Sequence, residues 1–349
     1  MVGFRVLLLL ISGAGLLFCS GCTLLSPAAV EWADAEVSAV WPSPPDPPRL
    51  RYLRSLSGAA DFAEKGKSGR FFRWLTGEAD RGVPLVSPYG VAADGQGRVW
   101  VADMGVAAVH VIDLARRRVE YIVQAGNTFL VSPVGVALDL FRNMLYISDA
   151  GLNKVFVFDL DGRYIGERTG LAAFGRPAGL AVDAAGQLYV VDVVKSQVDI
   201  FSPDGGYLRS LKSAAPPDRE FKLPSNVAVA ADGSVFVVDS MNFRLEVFDA
   251  EGRSQRTIGL LGDVPGTFAR PRGIALDADG HIYVADAVLD NVQIFDRDGK
   301  LLLFFGGRGK AAGEFSLPSG LFFDQFNRLY VADVYNQRIQ VFQPMAVAK

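Results

Sequence analysis

The sequence predicts an all-β protein, a six-bladed β-propeller of four-stranded blades whose last blade is closed by an N-terminal strand. Three observations carry this. A phrase recurs six times at a spacing near 47 residues, each copy reads as four short strands, and the strand missing from the last copy stands ahead of the first. A fixed period of that length with about four strands per unit is the pattern of a propeller. Nothing between the strands carries a 3.6-residue apolar pattern, which excludes a solenoid of helical repeats.

The phrase is clearest at residues 270–309, RPRGIALDADGHIYVADAVLDNVQIFDRDGKLLLFFGGRG. The four expected strands are Ile274–Leu276, His281–Ala285, Asn291–Phe295 and Lys300–Phe305. Each is rich in β-branched or aromatic residues and bounded by Gly, Asp or Asn. Asp279-Gly280 and Asp298-Gly299 are hairpin signals, because Gly accepts a positive φ without steric cost. One such sheet cannot bury both faces alone.

The other copies supply its neighbours. The opening proline falls at Pro88, Pro133, Pro177, Pro224, Pro271 and Pro318, so the spacings are 45, 44, 47, 47 and 47. An aspartate closes the second strand at Asp103, Asp149, Asp192, Asp239, Asp286 and Asp333. The last copy runs through Arg338–Phe342 and lacks its fourth strand. YLRSL, the fourth strand at residues 207–211, also stands at residues 52–56. Residues 50–57 are therefore expected to complete the last blade, joining the chain ends and removing the open sheet edges of an unclosed array. The propeller is expected over residues 49–343, with a short tail at 344–349.

The motif Pro-x-Gly-[hydrophobic]-Ala-x-Asp, then Leu-Tyr-Val-Ala-Asp, then Asn-x-x-[Val/Ile]-x-[Val/Ile]-Phe resembles the NHL repeat family over residues 50–343. The resemblance implies a six-bladed propeller but no single function, since such propellers include protein- and RNA-binding domains, sensor domains and enzymes.

Upstream, residues 1–22 read as an export signal. Arg5 is the only charge, Val6–Phe18 is apolar or small, and Ser20-Gly21-Cys22 follows. The apolar stretch is shorter than the roughly 20 residues a spanning helix needs. Cys22 after small residues resembles the lipobox of bacterial lipoproteins, which implies diacylation of Cys22. Cys19 departs from the Leu usual at its position. Thr23 after the cysteine implies, by the same resemblance, the outer membrane rather than inner-membrane retention. Cys19 and Cys22 are the only cysteines, and without a βαβ context they do not read as a redox pair. Residues 23–48, ending in WPSPPDPP, are expected to be a stiff proline-rich tether. In the long connection 58–87, Phe71–Leu75 forms an apolar cluster beside Arg70 and Arg73, expected to seal a blade or to mark a binding patch.

Half the residues are hydrophobic and 37 are Gly, which suits a strand-and-turn protein. The net charge of −3, or −4 once Arg5 is lost with residues 1–21, is no nucleic-acid-binding balance. The RNA role of some family members is accordingly not carried over. The propeller is expected to be monomeric.

Chemistry is sparse. The six second-strand aspartates would ring one face. A carboxylate ring can hold a cation, but a role repeated in every unit points to turn architecture. Asp94, Asp139, Asp183, Asp277 and Asp324 follow the first strands in the same way. Blade four departs, with Ala230 at that position and Asn226 where the other blades have Gly90, Gly135, Gly179, Gly273 and Gly320. In the related calcium-dependent lactonase propellers an Asn near the central channel is a metal ligand, which makes Asn226 the candidate metal residue. Only His110 and His281 are present, too few for the zinc site of the related amidating lyase. Neither His has a repeat-breaking acidic partner nearby, as the related streptogramin lyases would lead one to seek. Gly306–Gly309 precedes a strand, so it is no phosphate loop.

The turns after the aspartate ring vary most, and Lys154, Lys195, Phe243, Arg244, Tyr335 and Arg338 are the candidate binding surface. A rigid disc presenting basic and aromatic groups suits a protein partner. The expectation is a membrane-anchored envelope lipoprotein, facing periplasm or cell surface, whose propeller is a non-catalytic protein-binding or scaffold module with no cofactor. The alternative is a metal-dependent lyase or lactonase with a divalent cation, such as calcium, in the channel.

Overall fold

The computed structural model describes residues 30, 32–34, 37–62, 82–213 and 220–345. The export-signal residues with Cys22, the Phe71–Leu75 cluster and residues 346–349 lie outside the described residues. No helix among the described residues is long and apolar enough to cross a membrane.

Six antiparallel sheets form the blades, and in blades one to five the strands run in chain order outward from the channel. Blade one is Pro88–Ala93, Arg98–Asp103, Ala108–Asp113 and Arg118–Ile122. Blade five is Pro271–Leu276, Ile282–Asp286, Asn291–Phe295 and Leu301–Gly306. Its first strand begins three residues ahead of the expected Ile274, because Pro271 already pairs with Asp286 across a bulge. The expected hairpin glycines adopt left-handed φ, 81° at Gly280 and 88° at Gly299.

Blade six closes the ring with the N-terminus. Pro318–Phe323, Leu329–Asp333 and Arg338–Pro344 are followed outward by Leu50–Leu56, whose Leu56 pairs with Ile339 and Leu50 with Pro344. Chain ends held in one sheet unite only when both strands are in place, so the ring opens only by breaking this pairing.

The proline-rich stretch is not solely a spacer. Val40–Trp41 adds a fifth strand to blade six by pairing with Leu50 and Arg51. The Trp41 ring lies 5.6 Å from Phe305 and 5.7 Å from Phe342. Proline content describes the stiffness of that stretch, but a Trp beside an apolar sheet edge buries enough surface to fasten it.

The core lies between blades, in six apolar clusters that each draw on two neighbouring sheets. A repeated aromatic pair locks the interblade loops. Phe174, Phe221, Phe268 and Phe315, each three residues before an opening proline, meet Phe201, Phe248, Phe295 and Phe342 at 5.7–6.0 Å. Leu85 and Leu130 fill the same buried position ahead of blades one and two.

Candidate functional site

Two places can carry function: the central channel, and the face where the aspartate-ended strands meet the interblade loops. The channel is built by the six first strands. They converge so closely that a Cβ on Gly273 would strike the Ser319 carbonyl, and one on Gly320 the Tyr89 carbonyl. This is why the motif repeats Pro-x-Gly: the second residue's carbonyl in the next blade occupies the space of a side chain. Ser319 Oγ donates to the Tyr89 carbonyl at 2.9 Å and fastens blade six to blade one.

Within lies a cavity of about 220 Å³, lined mainly by main chain and by residues such as Val91, Val136, Leu180, Val227, Ile274 and Leu321. Asn226 lines it too, with its Oδ1 accepting from the Val227 amide at 2.9 Å. No carboxylate, His, Lys or Arg is among the described residues lining the cavity. Calcium takes six to eight oxygen ligands, usually several of them anionic. The side chains present here offer Asn226 and little else, so they do not fit a divalent-cation cage.

The six ring aspartates are fully buried and turned into their own loops. Asp286 accepts from the amides of Ala269, Arg270, Val288 and Leu289 at 2.8–3.1 Å. Asp149 does the same for Val131, Ser132, Gly151 and Leu152 at 2.8–3.1 Å. Asp103 holds Val86, Ser87 and Gly105, and Asp192 holds Gly175, Arg176 and Lys195. Each carboxylate therefore ties the loop entering a blade to the turn leaving its second strand. Asp239 has fewer amides and borrows Asn242 and Arg244, and burial pushes its carboxyl above the ordinary range. Asp333 is completed similarly by Asn336 and Arg338.

Asp94, Asp139, Asp183, Asp277 and Asp324 perform the corresponding work at the opposite face, accepting from turn amides two to four residues on. Blade four has Ala230 there, and Asp232, two residues on, accepts from Ser234 instead. His281 belongs to such a turn, with Nδ1 2.8 Å from Asp277 Oδ2. Asp277, Asp279 and His281 lie close enough to share a cation, but Asp277 is already engaged by the amides of Asp279 and His281, the imidazole and the Tyr283 hydroxyl. Burial, and then Asp277 itself, push the Tyr283 hydroxyl's pKa up.

His110 is different. It is fully buried, neither ring nitrogen has a hydrogen-bond partner, and Nε2 lies 3.7 Å from Asp103 Oδ2. Burial lowers its pKa, against the opposing pull of Asp103. It occupies a repeat position that sequence reading overlooked, seven residues after each ring aspartate: His110, Phe156, Asp199, Glu246, Gln293 and Gln340. Gln293 accepts from Gly266 N and donates to the Thr267 carbonyl, and Gln340 clasps Gly313 and Glu314 likewise. The glutamines thus hold the interblade loops, a role an imidazole of this length does not take up.

The six expected surface residues divide. Lys154 is paired with Glu167 at 2.8 Å. Arg244 lies between Asp239 and Glu246. Arg338 pairs with Asp333 and donates to the carbonyls of Lys310, Ala311 and Glu314. Phe243 packs against the cluster between blades four and five. Lys195 reaches the Ala172 carbonyl at 3.4 Å. Tyr335 alone among the six stands well clear, 75% exposed.

Around Tyr335 the structure places a rim of exposed apolar side chains that reading for charge and aromaticity did not single out: Val86, Val131, Val194, Met241, Val288 and Leu317. Four of these backbones are pinned by carboxylates. Asp103, Asp149 and Asp286 bind the amides of Val86, Val131 and Val288, and Asp290 binds that of Leu317. The sequence signal was available as an apolar residue two places before an opening proline (one place before it for Leu317) or two places after a ring aspartate.

Three family models match successive parts of the chain: the SMP-30/gluconolactonase/LRE-like region over residues 68–219, a 6-bladed beta-propeller over 215–288, and the NHL repeat over 315–342. No curated protein matches. Among solved structures, a Bacteroides thetaiotaomicron protein of unknown function is similar at 15% identity and TM-score 0.62, over 84% of this chain and 75% of its own. A gluconolactonase from Xanthomonas campestris aligns at 18% identity and TM-score 0.58, over 74% of this chain and 86% of its own. An auxiliary nutrient binding protein from Bacteroides thetaiotaomicron aligns at 12% identity and TM-score 0.58, over 73% and 68%. At these identities the likeness is one of fold.

Proposed function

We propose that this six-bladed propeller, of the NHL and SMP-30/gluconolactonase type, is a non-catalytic binding module, exported and held at a membrane through a lipid on Cys22, that recruits a protein partner in the cell envelope. The observation that carries the reading is the contrast between its two candidate places. Exposed apolar side chains gather on a rigid rim, where Asp286 and its counterparts fix the loops. The channel wall is apolar and glycine-lined, with Asn226 its polar departure from the repeat. Exposed apolar patches rimmed by polar groups suit association, and catalysis of ring opening or elimination needs positioned acids, bases or a metal. One structural neighbour is a nutrient-binding protein and another a gluconolactonase, so both classes live on this fold, and the residues of this channel and rim favour the first.

The test is metal analysis of the purified mature chain after dialysis without chelator, alongside photo-crosslinking in the native envelope. A photoreactive residue replacing Val288 is expected to give a discrete protein adduct, and one replacing Asp298, on the opposite face, none. About one divalent ion per chain, lost in Asn226→Ala, would overturn the reading in favour of a metal-dependent lactonase or lyase.

A further inference from the structure

We infer that the aspartate-ring face docks an acidic segment of its partner, with apolar side chains set among the carboxylates, on the side of the disc away from the membrane. This deepens the binding reading above and rests on it. Charge is the first argument. Arg176, Lys222, Arg270, Arg308 and Lys310 sit in the loops entering blades three to six, and Arg272 is the second residue of the first strand of blade five. The first three are placed at the rim itself, because Asp192, Asp239 and Asp286 bind their amides. None of the six has an ion-pair partner among the described residues. The exposed acids of these loops are fewer among the described residues: Glu220, Asp263 and Glu314. A chain of net charge −3 thus gathers unpaired cations on the same rim as Val194, Val288 and Tyr335, which are 62%, 56% and 75% exposed. A surface that is both apolar and cationic complements carboxylates interleaved with apolar groups, and the unpaired charge steers such a partner.

The second argument is where the N-terminus leaves. Arg338, at the rim, starts the strand that ends at Pro344 on the opposite face, and Leu50 pairs with Pro344. The segment ahead of Leu50 runs along the outer edge of blade six, with the Ala39 carbonyl accepting from Tyr52 and the Asp34 amide donating to Leu53, and then reaches the hairpins of that opposite face. Val30 touches Gly97, and Trp32 stacks on the Arg328 guanidinium at 3.5 Å, with both partners in hairpins between first and second strands. Arg328 is fixed in turn by Asp324 and the Gly95 carbonyl. The eight Cα-to-Cα steps from Cys22 to Val30 reach at most about 29 Å when fully extended. A lipid on Cys22 therefore pulls the hairpin face toward the bilayer, leaving the apolar, cationic rim for a protein rather than for headgroups.

The probes are a glutamate–tyrosine copolymer, polyglutamate and phosphatidylglycerol vesicles, titrated against the mature chain carrying Cys22→Ser. The copolymer is expected to bind more tightly than polyglutamate, and about tenfold more weakly when salt is raised from about 0.05 to 0.3 M. The double variant Arg270→Glu/Arg272→Glu and the single variant Val288→Asp are each expected to lose about tenfold, with Arg253→Glu on the opposite face unchanged. All these positions are solvent-accessible, so unaltered melting curves would verify that the variants are folded. No copolymer binding, or binding indifferent to the rim variants, would overturn the inference. So would vesicle binding with the same sensitivity, which would make the rim a lipid surface. Fractionation of cells carrying Cys22→Ser tests the tether separately: a chain that still sediments with membranes refutes the lipid anchor and with it the orientation, whatever the copolymer does.

Discussion

Replacing Asp286 by Asn separates an architectural ring from a cation-binding one. The substitution keeps the shape of the side chain and one of its oxygens. It puts an NH2 group where Oδ2 now accepts from Ala269 at 2.8 Å and Arg270 at 2.9 Å, or else against the amides of Val288 and Leu289 at Oδ1. Two hydrogen bonds to a charged acceptor are lost, each contributing about 1.5–3 kcal/mol, and the surviving ones become bonds to a neutral acceptor. The donors lie in loops that can partly rehydrate, which leaves a loss of about 4 kcal/mol, at the upper end of single-substitution effects. For a chain of this size that is about 6 °C in Tm. The assay is urea and thermal unfolding of the mature chain at pH 7, with calcium or with chelator. Wild type is expected to unfold identically in both, and the variant to be weaker in both. A variant within about 0.5 kcal/mol of wild type would refute the loop-tying role. A calcium-dependent gain in wild type that vanished in the variant would show a cation-linked site by mass action.

Three further outcomes follow from the packing. Gly273→Ala is expected to cost more than about 3 kcal/mol, because its Cβ meets the Ser319 carbonyl, whereas Gly166→Ala, with open space at the same atom, is expected to be near neutral in the same urea titration. Trp41→Ala is expected to cost about 2 kcal/mol and to speed amide exchange selectively in Leu50–Leu56, since the ring is packed on Phe305 and Phe342; uniform exchange across all blades would show that the fifth strand plays no part in closure. Burial holds the His110 imidazole below its ordinary pKa, so as pH falls the unfolded chain takes up its proton first. The stability contributed by the neutral form is complete above about pH 6.5 and is lost as pH falls below it. His110→Phe, which places the residue of Phe156 at the equivalent position, is expected to flatten unfolding free energy between about pH 6.5 and 5, and an unchanged slope would refute the assignment.

Much of the fold was legible because a propeller writes its architecture as a period. The prolines, the Pro-x-Gly turns and the ring aspartates recur, and the displaced YLRSL copy is the strand that closes blade six. The loop-locking pair, such as Phe268 with Phe295, was equally periodic but went unread, because its first member lies outside the strand pattern. The surface was less legible for a physical reason. Lys154, Arg244 and Arg338 look alike as charges in variable turns, and only packing reveals that each already has a carboxylate in reach. An exposed Val, by contrast, reads in sequence as one more core residue. Val86 and Val131 stand beside buried Leu85 and Leu130, and nothing local distinguishes the side chain that enters the core from the one that stands on the rim.

In a repeat protein, function resides in the positions that the architecture leaves free. Positions kept in all or nearly all blades are consumed by geometry, as the six ring aspartates are by loop amides and the five channel glycines by the strand of the next blade. Freedom remains where the repeat tolerates variety without changing the backbone. The position seven residues after each ring aspartate is one such place, and its Gln, Asp, Glu, His and Phe set how firmly each interblade loop is clasped. Gln293 and Gln340 clasp their loops through both ends of the amide. Asp199 instead meets Gln197 and Ser210, and burial raises its carboxyl pKa. The loops entering blades five and six are therefore fixed directly by the blade beneath them. They carry Arg270, Arg308 and Lys310, so half of the rim's unpaired cations stand on pre-organised backbone. A partner that engages this half first meets charge already in position and loses little conformational entropy on binding.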